Sequence, residues 1–120
     1  MLENLTEQSR AIFLIQIKMK KLIDGKLYDT ETATMIAETW NGLGNSDFRN
    51  LDETIYKTKN GKYFLYGHGG AMTKYATSYG GSTGGGSDII PLTEKEVKEY
   101  LENWGKTDKY IELFGKPEEA

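Results

Sequence analysis

The chain has 120 residues, a net charge of −3 and a hydrophobic fraction of 38%, which suits one domain with a modest core. It contains no cysteine. That excludes disulfides, thiolate metal sites and cysteine nucleophiles, and makes an intracellular setting the simpler reading.

Residues 1–18 differ in composition from the rest of the chain. They lack glycine, are apolar at residues 11–15 and at Ile17, and carry Thr6 at a position suited to the cap of a short helix. No apolar run approaches the ~20 residues that span a bilayer, so no membrane partner is expected. Met19 opens "MKKLIDGKLYDTETA" and reads as the start of a compact unit. The expected division is an N-terminal extension or short helix over 1–18, then a single α+β domain over 19–120.

Two apolar runs flank Asp24-Gly25, a strong hairpin signal because both central residues need positive φ. "TETATMIAETW" has a loose two-residue period and reads as a strand, with a short helix as its rival. "GLGNSDFRNLD" is loop. "ETIYKTKNGKYFLYG" is the clearest element. A two-residue turn at Asn60-Gly61 places Thr58 opposite Tyr63, Lys57 opposite Phe64, Tyr56 opposite Leu65 and Ile55 opposite Tyr66. Both faces then carry aromatics, as in a central hairpin.

"AMTKYATS" reads as two helical turns, and "DIIPL" as a strand ended by Pro91. "LTEKEVKEYLENWG" is a helix with Thr93 and Glu96 as a capping box, Leu92 and Val97 as a staple, an apolar stripe of Val97, Tyr100, Leu101 and Trp104, and Gly105 as its stop. "TDKYIELFG" repeats the device, with a cap at Thr107 or Asp108, Tyr110, Ile111 and Phe114 inward, and Gly115 at the end. The fold class is α+β: a small antiparallel sheet built from hairpins, followed by two C-terminal helices.

The segment "GHGGAMTKYATSYGGSTGGGSD" holds eight glycines and the single histidine. A phosphate-binding loop needs a strand before it, a helix after it and a Lys-Ser or Lys-Thr pair. That context is missing, so the glycine run reads as a flexible connector or a partner-contacting loop. One histidine rules out a multi-histidine metal site. Ser78, Ser82, Ser87 and Thr73 lie near His68, but no nucleophile-elbow pattern accompanies them. No catalytic residue, cofactor or metal site is expected.

Two surfaces remain as candidates. Glu94–Lys98 and Glu102–Lys106 have the i,i+4 spacing of solvated helix pairs. The sheet-half acids Asp29, Glu31, Glu38, Asp47, Asp52 and Glu53 form the less paired, negative set. Residues 55–79 hold Lys57, Lys59, Lys62 and Lys74 with no acid, interleaved with Tyr63, Phe64, Tyr66, Tyr75 and Tyr79. Tyrosines among lysines suit stacking on bases, with ammonium groups on phosphates, although the acidic total argues against a dedicated nucleic-acid binder.

"KLIDGKLYDTETA", "SDF", "ETIYKTKNGKYFLYGHGGAMTKYA" and "IIPLTEKEVKEYLE" together resemble a family of short proteins carried by phages, plasmids and integrative elements of Gram-positive bacteria. Some members look like anti-CRISPR inhibitors of RNA-guided nucleases, particularly type II systems. The resemblance covers residues 19 to about 115; the extension before Met19 and the long glycine run depart from the pattern. It implies a non-enzymatic counter-defence protein in the bacterial host cytoplasm. Its partner would be a CRISPR effector nuclease or its guide RNA. The alternative is a small nucleic-acid-binding accessory protein of a phage or plasmid. The expected contact residues are Asp29, Glu31, Asp47, Asp52 and Glu53 as phosphate mimics, or Lys57, Lys59, Lys62, Tyr63 and Tyr66 as an RNA- or pocket-contacting hairpin.

Overall fold

The computed structural model describes residues 18–120. The expected N-terminal helix and its Thr6 cap lie outside these residues. The architecture is α+β, with antiparallel sheets followed by two helices. β1 (Lys20–Ile23) and β2 (Lys26–Asp29) form the first hairpin, with Asp24 at φ 53° and Gly25 at φ 76°. Those two positive values are what a two-residue turn between right-twisted strands requires.

β3 (Thr34–Trp40), β4 (Leu51–Lys57), β5 (Tyr63–Gly69) and β8 (Gly86–Leu92) make the main sheet, in the order β3-β4-β5-β8. A bulge between Met35 and Ala37 interrupts β3; it accounts for the loose period of "TATMIAETW", because one extra residue flips the alternation. β6 (Thr77–Tyr79) and β7 (Ser82–Gly84) form a separate two-stranded ribbon. Helix α1 spans Glu94–Asn103 and α2 spans Thr107–Phe114.

Both faces of β4 and β5 are covered. Ile55, Tyr63, Leu65 and Leu92 pack under Val97 and Leu101 of α1, with Tyr110, Leu113 and Phe114 of α2 alongside. On the opposite face Tyr56, Phe64, Tyr66 and Ile89 pack under Tyr28 of the first hairpin. Phe64 stacks on Tyr56 at 5.2 Å and meets the edge of Tyr28 at 5.6 Å. Phe64, Ile55 and Leu65 are fully buried, and each contributes roughly 1.5–3 kcal/mol by leaving water.

The α1 signals hold in full. Thr93 accepts from the Glu96 amide and Glu96 accepts from the Thr93 amide. At the other end the Gly105 amide bonds to Glu102 O and the Lys106 amide to Leu101 O, with Gly105 at φ 69°, the Schellman pattern.

Five sequence expectations change. The 60–61 hairpin pairs Lys57 with Tyr63, Tyr56 with Phe64 and Ile55 with Leu65, one position from the expected register. The Gly61 amide bonds to Thr58 O, the Thr58 amide to Lys62 O, and only Gly61 has positive φ, at 85°. The connection is therefore a three-residue loop closed by a glycine bulge, not a two-residue turn, and the slip moves every side chain to the other face.

"AMTKYATS" is not helical; it makes two successive turns, Thr73 to Gly70 and Ala76 to Thr73, before β6 begins. The Thr73 hydroxyl donates to Gly70 O and accepts from the Tyr75 amide, and such local bonds compete with a helix. The glycine run is no loose connector: it builds the β6–β7 ribbon and the first residue of β8. β8 also runs through Pro91 to Leu92, which an edge strand tolerates when the proline nitrogen faces away from the ladder. Finally, Lys106 rather than Thr107 or Asp108 is the α2 N-cap, without a side-chain bond, and Ile111 is exposed.

Candidate functional site, a basic cleft between two hairpin tips

The glycines of residues 67–86 are there to let the backbone pass. A side-chain carbon on Gly85 would sit 2.6 Å from Gly69 O, and one on Gly86 would sit 2.5 Å from Tyr75 O. On Gly70 it would meet Phe48 O at 2.5 Å. Three segments thus pack main chain against main chain, which only glycine permits.

Tyr75 closes over Gly67 and donates its hydroxyl to Glu53 Oε2 at 2.6 Å. Lys74 pairs with the same oxygen at 2.6 Å and lies 5.5 Å from the Tyr75 ring and 5.7 Å from that of Tyr100. Burial first, and then the Glu53 carboxylate, push the Tyr75 hydroxyl well above the ordinary phenol range. Burial is the largest single influence on Lys74 and opposes its charge, but the bond to Glu53, the Glu53 charge and Tyr100 together outweigh it and the net displacement is upward.

The acidic candidates do not form a patch. Glu53 is 4% exposed and engaged by Tyr75 and Lys74. Asp29 is buried and accepts from the Glu31 amide, and Glu31 pairs with Lys18 at 3.4 Å. Asp47 accepts from the backbone and guanidinium of Arg49, whose side-chain bond holds its carboxyl below the usual range. Asp52 stands in a cross-strand row with Trp40, His68 and Ser87, so all four share one face. In that row His68 Nδ1 lies 2.9 Å from Ser87 Oγ. Nothing in the local sequence signals this pairing, because the β5–β8 register sets it across 19 positions.

The tyrosine–lysine hairpin is split as well. Tyr63 and Tyr66 are buried, at 9% and 7% exposure, so neither offers a stacking face. Lys57 lies 5.4 Å from the Tyr63 ring centroid, a cation–π contact. Lys59 and Lys62 are exposed at the hairpin tip.

That tip meets the tip of the first hairpin across a cleft of about 410 Å³. Its walls bring Lys26, Lys59 and Lys62 together with Leu27, Tyr28, Thr32, Thr58 and Asn60. Among the described residues lining it, none is acidic. Lysines from two tips facing one concavity concentrate positive potential there even on a chain of net charge −3, with Asp24 of the first turn outside the lining. Sequence reasoning named Lys59 and Lys62 but missed Lys26, Thr32, Thr58 and Asn60. The one available signal was the repeated Gly-Lys step after each turn, at Gly25-Lys26 and Gly61-Lys62.

No family model, curated protein or solved structure matches the chain. Geometry and the sequence motifs therefore supply the functional reading. No cluster of metal-ligating side chains occurs among the described residues, and no helix among them is long and apolar enough to cross a membrane.

Proposed function

We propose that the protein is a counter-defence inhibitor that blocks an RNA-guided nuclease, of the type II class that the sequence resemblance points to, by occupying its guide RNA. The observation that carries this reading is the cleft, with three lysines and no acid among its walls. Phosphates are the groups such a site attracts. DNA mimicry by the acidic set is less supported, since Glu53 and Asp29 are buried and Asp47 and Glu31 are held in ion pairs.

The reading is one of occupancy rather than catalysis. An accessory protein of a phage or plasmid that binds nucleic acid without a nuclease partner would use the same cleft, and titration separates the two. The full chain is added to a fixed amount of type II effector complex and target cleavage is followed. Inhibition is expected to rise until the protein matches the complex, with the guide intact. Complete inhibition far below equimolar dose, or a cut guide, would refute occupancy; guide binding without inhibition would favour the accessory role.

A further inference from the structure

We infer that the cleft between the hairpin tips takes one unpaired nucleotide of a single strand, with its own and the adjoining phosphates on the three lysines and its base in the cavity. This rests on the occupancy reading above and names the part of the nucleic acid that is held.

Lysines alone would serve any phosphate backbone, duplex included. This site has more than lysines. Its volume of about 410 Å³ falls within the ~300–1,000 Å³ of small-molecule pockets, so it offers room for a base and not only a seat for a phosphate. Leu27 is 54% exposed and supplies an apolar wall beside Tyr28. Thr32, Thr58 and Asn60 add hydroxyls and an amide. An amide presents a donor and an acceptor side by side, the combination that reads a base edge. A base within a duplex is stacked and its pairing edge is taken, so it cannot enter such a cavity without being extruded.

The scaffold suits the task. The Thr58 hydroxyl accepts from the Lys62 amide at 3.0 Å, which fixes the loop that carries Lys59 and Lys62. The facing tip is fixed by its own two-residue turn at Asp24 and Gly25. Little backbone ordering is left to occur on binding, which leaves the lysine side chains as the main groups to be immobilised.

The test measures binding of the full chain to fluorescent oligonucleotides by anisotropy. The probes are a single-stranded oligouridylate, its deoxy counterpart, and the oligouridylate paired in a duplex. The single strand should bind about tenfold or more tighter than the duplex, with a salt slope near −2, roughly the value for three neutralised phosphates on a single strand. The deoxy probe reports whether the sugar matters, and tight binding of either single strand supports the site. Lys26→Ala, Lys59→Ala and Lys62→Ala should each flatten the slope by about 0.7. Asn60→Ala should shrink the single-strand preference and leave the slope unchanged. These residues are exposed, and melting curves verify that each variant folds.

Equal or tighter binding of the duplex, or full binding by the triple lysine variant, would overturn the inference. Running the variants in the nuclease titration separates the two levels. Inhibition that survives loss of oligonucleotide binding leaves occupancy standing and removes the nucleotide site. Oligonucleotide binding without inhibition does the reverse.

Discussion

The Tyr75 hydroxyl donates to Glu53 at 2.6 Å from 22 positions along the chain, and its ring lies where a side chain on Gly67 would have to be. One contact thus ties the turn after β5 to the middle of β4 and makes a glycine in β5 obligatory. Tyr75→Phe leaves a buried carboxylate one donor short, a loss expected to be about 1–3 kcal/mol. Gly67→Ala drives a methyl into the ring, an overpacking cost of similar size, roughly 1–3 kcal/mol. Urea unfolding measures both. Two unchanged midpoints would show that the pocket around Glu53 relaxes freely.

The three-residue loop at the β4–β5 tip makes a prediction that a two-residue turn would not. Gly61 alone has positive φ there. Gly61→Val should therefore cost about 1–2 kcal/mol, the penalty of placing a side chain in the left-handed region, while Asn60→Ala should be nearly neutral. A thermal melt of each variant decides the matter. Equal losses at both positions would restore the two-residue turn.

Alkaline pH should unfold the protein through its buried phenols. Burial, then the charges of Tyr66 and Glu38, push the Tyr56 hydroxyl from 10.0 up to about 12. In that interval the unfolded chain has lost the proton and the native chain has kept it. The native state binds more protons, so stability falls as pH rises from about 10 to about 12 and is intact below. Tyr75 is displaced in the same direction, and so is Lys74; both add to the loss. Tyrosinate absorbance followed beside circular dichroism should show part of the titration coinciding with unfolding. Full ionisation of all tyrosines with the fold intact would contradict this.

His68→Ala should leave both fold and inhibition in place. The side chain is half-buried and bonds to the exposed Ser87, a hydrogen bond contributing about 0.5–1.5 kcal/mol. Melting and the nuclease titration provide the readouts. A hydrolytic activity of the native chain that vanished in a folded His68→Ala variant would make the pair catalytic.

What the sequence disclosed was local. The turn at Asp24-Gly25, the Thr93–Glu96 box and the Gly105 stop each depend on residues a few positions apart, and each stands as read. The Asn60-Gly61 register slipped because two- and three-residue loops both place a glycine at positive φ. The glycine run was opaque for a different reason. What Gly70, Gly85 and Gly86 make room for is backbone at Phe48, Gly69 and Tyr75, and no pattern within the run points there. The cleft was hidden in the same way, since its two lysine-bearing tips lie more than thirty positions apart in the sequence.

Pro91 lies in β8, an outer strand of the main sheet, and β3 is the opposite outer strand among the described residues. A strand ladder between molecules needs a donor and an acceptor row at both ends of each copy. The proline removes a donor from one end, and the bulge at Met35–Ala37 breaks the row at the other. Copies of this chain therefore meet an interrupted hydrogen-bonding row at each outer strand of the main sheet, which disfavours regular edge-to-edge pairing there.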